Sequence, residues 1–209
     1  MKHSRILISA VVCIVACILS LQLFWYLFQT FPSFGAIDTS WSQALYNLRT
    51  PLFNQIMVSI SLFGADIMIV FGAVAVVLFQ TVHKKRESVI FVSAVVAGVV
   101  LNYFLKFIFA RTRPDMAPLI FMDSYSYPSG HAMNAFVFYG LVAYYVIVFT
   151  KREVLEVAIA VFSIIMVVLV GVSRVYLGVH YPTDVIAGYV AGLCVVITAI
   201  YCNKLYLNK

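Results

Sequence analysis

The sequence contains few charged residues. Asp, Glu, Lys and Arg make up only 11% of its 209 residues, whereas 64% of the residues are hydrophobic and the mean hydropathy is +1.02. Few soluble globular proteins combine so little charge with so much apolar sequence. The composition therefore excludes an ordinary soluble domain and indicates a polytopic membrane protein.

Cysteine is also scarce, and the four cysteines (Cys13, Cys17, Cys194 and Cys202) all lie inside apolar runs. The sequence has no CxxC pair and no Cys/His cluster, so it predicts neither a disulfide framework nor a metal site. We expect the cysteines to be small core residues. The net charge of +6 comes from scattered basic residues without a basic and aromatic strip, so no nucleic-acid partner is expected.

Six apolar runs are long enough to cross a bilayer, which takes roughly 20 residues of helix. They cover residues 6–29, 55–81, 88–106, 130–149, 154–173 and 184–202. Each run is continuous, without the two-residue alternation of a membrane β-barrel, and the connections are short. The sequence therefore predicts an all-α fold, a six-transmembrane helical bundle that forms a single integral membrane domain over residues 1–209.

The first run follows the charged start MKHSR, which resembles the start of a signal peptide. The run itself is too long for a typical signal core, and the FPSFG stretch after it has no small-x-small cleavage pattern. We therefore expect a retained helix.

The last predicted span contains a GxxxG spacing at Gly188 and Gly192, beside Ala187 and Ala191. Small residues at this spacing allow two helices to approach closely. We expect this face to pack inside the bundle rather than to form a dimer interface.

Basic residues are divided unevenly between the two sides of the predicted bundle. With a cytoplasmic N-terminus, that side holds nine of the 14 Lys and Arg residues: Lys2, Arg5, Lys84, Lys85, Arg86, Lys151, Arg152, Lys204 and Lys209. The other side holds Arg49, Lys106, Arg111, Arg113 and Arg174. This division agrees with the positive-inside rule, so we expect a multi-pass cell-membrane protein with both termini in the cytoplasm.

A longer external stretch, residues 30–54, joins the first two predicted spans. Four of its residues recur at helical spacing: Trp41, Ala44, Leu45 and Leu48. They predict a short helix over 38–49, capped by Asp38 or Ser40, that lies in the membrane interface. Two interpretations remain open, a tether between two spans and a lid that guides a lipid toward a site.

Three polar segments lie at the external ends of the predicted spans. They are Lys106 to Pro114, Pro128 to His131 and Ser173 to Asp184. The longer, irregular loops lie on this side, whereas the cytoplasmic turns are short. We therefore expect binding and chemistry on the external face.

Lys106, Arg113 and Arg174 give these segments three cations. Arg presents a planar fork of donors and Lys a point charge, and both suit a phosphate group. The alternative is a structural ion-pair cluster with the nearby aspartates. These are Asp115, Asp123 and Asp184.

The segment from Pro128 to His131 precedes a predicted helix. Pro128 favours an extended approach, Ser129 is a candidate N-cap, and Gly130 lets backbone N–H groups come close to a ligand. The positive end of that helix would point at an anion.

His180 and Asp184 are one helical turn apart. A carboxylate at this distance can keep one imidazole nitrogen protonated and leave the other free to attack. His131, on another helix, can protonate a departing oxygen. With the three cations, these residues form a complete set for phosphoryl transfer without a metal ion, because that reaction depends mainly on positioning and charge stabilisation.

The three segments resemble the signature of the type 2 phosphatidic acid phosphatase family, whose pattern is KX6RP, PSGH and SRX5HX3D. The sequence matches every position, at Lys106 to Pro114, Pro128 to His131 and Ser173 to Asp184. The six-span layout extends the likeness to nearly the whole chain. Short bacterial members of this family include phosphatidylglycerophosphatase B-like and undecaprenyl pyrophosphate phosphatase-like enzymes.

The resemblance implies a role for each motif residue. His180 attacks phosphorus to form a phosphohistidine, and Asp184 orients it. His131 protonates the leaving group and then activates water. The remaining motif residues hold the phosphate: Lys106, Arg113, Ser129, Gly130 and Arg174. No cofactor, metal or obligate protein partner is expected.

The expected substrate is a phosphate or pyrophosphate monoester of a lipid, which reaches the site sideways between helices. Undecaprenyl pyrophosphate and phosphatidylglycerophosphate are the leading candidates, followed by phosphatidic acid and diacylglycerol pyrophosphate. The alternative is an anion or lipid-phosphate transporter that uses the same cations without hydrolysis, although anion binding gains nothing from Asp184 beside the histidine. Vanadate-dependent haloperoxidases share these motifs, but they are soluble.

Asp66 and Arg111 keep more than one interpretation. Asp66 lies inside a predicted span, where charge is costly, and it could pair with a motif cation, tune the second histidine, or stay protonated or beside water. Arg111 could contact a lipid headgroup or extend to lipid phosphates without a role in turnover.

Overall fold

The computed structural model describes residue 26 and residues 31–207, and the described side chains exclude those of residues 31–34, 66, 206 and 207. This part of the chain contains seven helices and no strand. The helices are α1 (Phe31–Tyr46), α2 (Pro51–Leu62), α3 (Asp66–Thr81), α4 (Lys85–Phe109), α5 (Gly130–Thr150), α6 (Glu153–Tyr176) and α7 (Pro182–Leu207). The predicted all-α fold is confirmed. The predicted first span, 6–29, lies outside the described residues apart from residue 26, and so do Cys13 and Cys17.

Five helical segments in residues 31–207 are long and apolar enough to cross a membrane. They are Pro51–Thr81, Lys85–Phe109, Gly130–Thr150, Glu153–Tyr176 and Pro182–Leu205. Each overlaps one of the predicted spans and extends it by a few residues. Large apolar side chains such as Ile69, Phe107 and Val154 are exposed on the outside of the bundle, as on helices that face lipid. These are the helices of a multi-pass membrane protein, and the sixth span stays a prediction.

The predicted span 55–81 is two helices, because the chain turns between α2 and α3. The backbone N–H groups of residues 63–65 each bond three residues back instead of four, which tightens the end of α2. Gly64 permits the turn to lie against α6, since a Cβ there would be 2.6 Å from Cγ1 of Val170 and 3.1 Å from Cβ of His131. The break therefore brings the chain next to one of the predicted site residues.

Helix α5 lies at the centre of the bundle and packs against α3, α4, α6 and α7. Four of its residues are fully buried: Ala132, Met133, Ala135 and Leu141. On α7, a Cβ added at Gly188 would lie 2.6 Å from the backbone oxygen of Ser129, and one at Gly192 would lie 2.8 Å from Cβ of Phe136. The prediction that this GxxxG spacing packs inside the bundle is confirmed.

Helix α1 begins earlier than the helix predicted over 38–49. The predicted cap at Asp38 or Ser40 is wrong, because both residues lie inside the helix. Asp38 is 1% exposed, and its carboxylate accepts a hydrogen bond from the backbone N–H of Thr183 at 3.0 Å. Thr183 lies in the first turn of α7, so Asp38 caps a neighbouring helix instead of its own. The place of α1 in the membrane interface stays a prediction.

We expect Gly188→Ala to destabilise the bundle. The added methyl group would meet the backbone oxygen of Ser129 at 2.6 Å, and a backbone atom cannot rotate away as a side chain can. Overpacking of this kind costs about 1–3 kcal/mol, which lowers the midpoint of thermal unfolding by roughly 2–12 °C in a chain of this size. Thermal unfolding of the purified protein in detergent measures this shift.

Gly35→Ala, in α1, is the matched control. A Cβ at Gly35 has nothing within 4 Å, and Ala is the better helix former, so the midpoint should stay the same or rise slightly. Equal midpoints for the two variants would contradict the close packing of α7 on α5.

Candidate active site

The three motif segments meet at one end of the bundle. Lys106 lies in the last turn of α4, His131 in the first turn of α5, Arg174 in the last turn of α6 and Asp184 in the first turn of α7. A cavity of about 200 Å³ opens between these helix ends. The predicted site residues on its lining are Lys106, Arg113, Gly130, His131 and His180.

His180 and Asp184 form a buried pair, with 1% and 0% of their surfaces exposed. Nδ1 of His180 lies 3.4 Å from Oδ2 of Asp184. The same carboxylate oxygen accepts hydrogen bonds from the Ser126 hydroxyl at 2.5 Å and from the Tyr181 backbone N–H at 2.9 Å. The other imidazole nitrogen, Nε2, lies 3.4 Å from the guanidinium of Arg113. Asp184 therefore holds the Nδ1 side of the ring, which leaves Nε2 on the side of the cations.

The start of α7 explains the spacing of His180 and Asp184. Pro182 is the first helical residue, a position that Pro favours, so Tyr181 is the N-cap. Asp184 is then the third residue, and its side chain bonds back to the Tyr181 N–H as the acid of a capping box does. Before His180, Gly178 has a φ of +76°, a left-handed conformation that favours glycine. The chain thus turns at Gly178 between α6 and the histidine.

Burial lowers the pKa of His180 to about 3. The carboxylate of Asp184 acts in the opposite direction, whereas the cations Arg174 and Arg113 lower the pKa further. The imidazole is therefore neutral near pH 7, with one unprotonated nitrogen that can act as a nucleophile.

The three predicted cations, Lys106, Arg113 and Arg174, form no salt bridge in the part of the chain that the structure describes. Lys106 is only 7% exposed and Arg174 only 1%. Buried cations without an anion are costly, so the cluster suits an anionic ligand better than a structural ion-pair network.

Within residues 31–207, no group of three or more His, Cys, Asp or Glu is placed to hold a metal ion.

Backbone carbonyls hold two of the cations in place. The ammonium group of Lys106 donates to the carbonyl of Tyr125. The guanidinium of Arg113 donates to the carbonyl of Ser124 at 2.7 Å and to that of Val179 at 2.6 Å. The loop before α5 and the turn before His180 are therefore tied together through Arg113.

Arg174 and Ser129 are not among the residues that line this cavity, and both are buried, with 1% and 0% of their surfaces exposed. One terminal nitrogen of Arg174 donates to the hydroxyl of Ser61 at 2.5 Å. The other terminal nitrogen, Nε of Arg174 and the hydroxyl of Ser129 have no hydrogen-bond partner among the described residues. Buried polar groups of this kind cost free energy until a ligand satisfies them.

Ser129 is the N-cap of α5, as predicted, but its hydroxyl makes no capping hydrogen bond with the described residues. Asn102 of α4 supports this helix start, because its side-chain amide donates to the carbonyl of Pro128 at 3.2 Å. A Cβ added at Gly130 would lie 2.8 Å from Oδ1 of Asn102. The glycine therefore gives the room that Asn102 occupies beside the first turn of α5.

Arg111 lies on the opposite side of Asp184 from His180. Its guanidinium donates to Oδ1 of Asp184 at 2.5 Å and to Oδ2 of Asp38 at 2.8 Å. The two roles that the sequence suggests for Arg111 do not include these contacts. The side chain of Asp66 lies outside the described part of the structure, so its role stays a prediction.

Sequence reasoning misses Ser61 and Ser126, whose hydroxyl groups bond to the predicted site residues Arg174 and Asp184. It also misses Asp38, which bonds to Arg111 and Thr183 beside the site. The two serines give no signal, since single serines occur throughout the apolar runs. Asp38 does give one, because the sequence has only eight acidic residues, but the predicted helix cap accounts for it without any contact to the site.

The chain is similar to proteins of known activity over most of its length. Residues 87–206 match the PAP2 superfamily. Phosphatidylglycerophosphatase B of Bacillus subtilis is 35% identical over 161 residues, which are 75% of this chain and 78% of that protein. The undecaprenyl-diphosphatase of Sulfolobus acidocaldarius is 32% identical over 145 residues, which are 66% of this chain and 65% of that protein.

Two solved structures have a similar fold. A crystal structure of a transmembrane PAP2 type phosphatidylglycerolphosphate phosphatase from Bacillus subtilis superposes with a TM-score of 0.79 and 29% identity, covering 90% of this chain and 95% of the other. The crystal structure of Aquifex aeolicus LpxE gives a TM-score of 0.62 at 23% identity, covering 78% and 94%, and shows likeness of fold alone. The family match spans more than half of the sequence and all three motif segments, so the chain belongs to the PAP2 superfamily, as one of its membrane lipid phosphatases.

Proposed function

We propose that this enzyme hydrolyses a phosphate or pyrophosphate monoester of a membrane lipid through a phosphohistidine at His180, without a metal ion. The observation that carries the proposal is the buried His180–Asp184 pair beside three cations that form no salt bridge among the described residues. A transporter that binds the same anion without hydrolysis is not favoured, because the relatives are named as phosphatases.

The first step forms the phosphohistidine. The lone pair on Nε2 of His180 attacks phosphorus, and the bond between phosphorus and the leaving oxygen breaks. His131, which lines the same cavity, donates a proton to that oxygen. A monophosphate substrate then releases a lipid alcohol, and a pyrophosphate substrate releases the lipid monophosphate. Asp184 holds the ring and stabilises the positive charge that the imidazole gains.

The second step hydrolyses the phosphohistidine. His131, now without its proton, takes one from a water molecule, and the resulting hydroxide attacks phosphorus. The bond between phosphorus and Nε2 breaks, and its electrons return to His180, which is neutral again. Inorganic phosphate leaves, and both histidines are back in their starting protonation states.

The cations supply the charge that phosphoryl transfer requires. Two nitrogens of Arg174 and the hydroxyl of Ser129 have no hydrogen-bond partner among the described residues. We infer that they bind phosphate oxygens, together with Lys106, Arg113 and the N–H of Gly130. The first turn of α5 adds the positive end of its helix dipole. Preorganised positive groups of this kind stabilise the transition state because they do not need to reorient during the reaction.

The lipid tail has an apolar path to the site. A groove of about 380 Å³ runs between α3, α4 and α5 on the outside of the bundle. Ala65 and Asn134 line both this groove and the cavity that holds His131 and His180. A lipid that moves sideways out of the bilayer can therefore keep its tail in the groove while its phosphate reaches the histidines.

A second, wider cavity of about 650 Å³ gives the site a polar opening. Lys106 and Arg113 line it as well as the catalytic cavity. We infer that water reaches the phosphohistidine, and phosphate leaves, through this side while the lipid occupies the other.

Phosphatidylglycerophosphate and undecaprenyl pyrophosphate are the substrates that we propose first, because the relatives at 35% and 32% identity carry those activities in their names. Phosphatidic acid and diacylglycerol pyrophosphate follow.

We further propose that both termini are cytoplasmic and that the site faces the exterior. Helix α1 would lie in the membrane interface, since its Trp41 is 65% exposed.

We expect the wild-type enzyme in detergent with EDTA to release phosphate from at least one of these lipids. His180→Asn should lower the rate at least about 10³-fold, because the nucleophile is removed. His83→Asn is the matched control, since His83 lies in the turn between α3 and α4, exposed and remote from the motif residues, and its rate should match that of the wild type. Turnover by His180→Asn would contradict the proposed nucleophile, and full loss of activity in EDTA would contradict metal independence.

The orientation predicts which loops a membrane-impermeant maleimide can reach. In a variant whose four native cysteines are replaced by serine, we expect Asp115→Cys to be labelled in intact cells. Arg152→Cys should be labelled only after permeabilisation. Both positions are exposed, so unequal reactivity of buried thiols cannot produce the difference. The opposite labelling pattern would place the site in the cytoplasm.

A further inference from the structure

Arg111 bonds to the carboxylate oxygen of Asp184 that faces away from His180. Oδ2 of Asp184 serves the histidine side, where it accepts from Ser126 and Tyr181. Oδ1 accepts from the guanidinium of Arg111 at 2.5 Å. The two oxygens of the Asp184 carboxylate therefore have separate hydrogen-bond donors, and Arg111 is the charged donor among them.

The guanidinium of Arg111 has little freedom to move. It also donates to the hydroxyl of Thr183 at 2.9 Å, and it lies over the ring of Tyr181 with 4.1 Å between Cζ and the ring centre. Its side chain is 17% exposed. A guanidinium with these contacts is fixed in one orientation, unlike an arginine that extends to lipid headgroups.

Asp38 fixes the other end of Arg111. Its carboxylate is almost fully buried, 1% exposed, and it accepts from Arg111 at 2.8 Å. It also accepts from the backbone N–H of Thr183 at 3.0 Å and from the Thr183 hydroxyl at 2.7 Å. Asp38 thus bonds to Thr183, which precedes Asp184 in the chain, and to Arg111, which contacts Asp184 in space. It forms no hydrogen bond with Asp184 itself.

We propose that Arg111 is a positioning residue for this reaction, held by Asp38 of α1, and that it acts by fixing the catalytic carboxylate behind His180. This inference rests on the proposed function, because it assigns Asp184 the orienting role. Arg111 compensates one negative charge of the buried pair of aspartates, so Asp184 can stay ionised next to His180 at low cost. One terminal nitrogen of Arg111 bonds to Oδ1 of Asp184 and the other bonds to Asp38, so the planar guanidinium also sets the rotation of the Asp184 carboxylate, and through it the direction of Nε2.

The proposal gives α1 a part in catalysis as well as in membrane contact. Asp38 lies on the face of α1 that packs against α7, whereas Ile37 and Trp41 are 46% and 65% exposed on the same helix. A change in how α1 sits against the bundle would therefore alter the support of Asp184. No lid movement is required for this coupling.

The test compares kcat and KM for phosphatidylglycerophosphate in detergent. We expect Arg111→Gln to lower kcat by on the order of 10- to 100-fold, as is typical when a partner that orients a metal-binding side chain is removed. KM and the inhibition constant of inorganic phosphate should stay within about 3-fold, because Arg111 does not bind the phosphate. Arg111→Lys keeps the charge without the fork, so its kcat should lie between those of the wild type and Arg111→Gln.

A double-mutant cycle separates positioning from a structural role. If Arg111 acts through Asp184, then Arg111→Gln should cost less than about 3-fold when Asp184 is already Asn, with rates measured by single turnover and enzyme in excess. Asp38→Asn should lower kcat in the wild type and have almost no further effect in Arg111→Gln. If Asp184→Asn is too slow to measure, this second cycle decides the question alone.

Arg49→Gln and Asp115→Asn are the matched controls. Arg49 also ties distant backbone together, through the carbonyls of Tyr176, Met116 and Ala117, but it forms no salt bridge in the described residues. Its loss should lower the midpoint of thermal unfolding. Any loss of kcat in Arg49→Gln should be the same factor in the wild type, Asp184→Asn and Asp38→Asn backgrounds. Asp115 is an exposed carboxylate in the loop that also holds Arg111, and kcat of Asp115→Asn should equal that of the wild type.

Three results would overturn the positioning role. The first is a wild-type kcat in Arg111→Gln, and the second is a raised inhibition constant of phosphate at unchanged kcat. The third is a full multiplication of the single-variant losses of activity in both double-mutant cycles. Failure of the proposed function looks different, since the wild type would then release no phosphate or His180→Asn would keep turning over.

Discussion

The site depends on a buried imidazole and carboxylate that lie beside three cations without a salt bridge to any described residue. In a low-dielectric interior each of these groups is costly alone. His180 and Asp184 satisfy each other in part, whereas Arg174 keeps donors without a partner among the described residues. In the function that we propose, the phosphate group of the substrate brings the negative charge and the hydrogen-bond acceptors for these cations.

The fold supplies this arrangement by ending four apolar helices at the same level. Each helix contributes one polar group from its first or last turn, and the central helix α5 fixes their spacing. Close packing is needed for the groups to meet. Gly64 and Gly188 each lie where a methyl group would collide with a neighbour, and these contacts hold the turn before α3 and the start of α5 against the site.

Much of this architecture can be predicted from the sequence, because its signals are local. Long apolar runs locate five described spans, and the SRX5HX3D spacing places His180 one turn before Asp184, a distance that the helix start fixes by itself. The rest depends on how helices pack. Asp38 bonds to Thr183 across 145 residues, and no pattern near Asp38 distinguishes this contact from an ordinary helix cap. The contact between Ser126 and Asp184 also joins residues far apart in the sequence. The turn at residues 63–65 interrupts a continuous apolar run, and it lies against α6 at Val170, a contact that the apolar pattern does not predict.

If His180 carries the phosphoryl group during turnover, that group can be located on the enzyme. The enzyme would be quenched at alkaline pH during turnover of phosphatidylglycerophosphate and analysed by mass spectrometry and ³¹P NMR. We expect one phosphoryl group, which is acid-labile and attached to Nε2 of His180. A phosphoryl group on another residue, or rapid turnover without any phosphoenzyme, would contradict it.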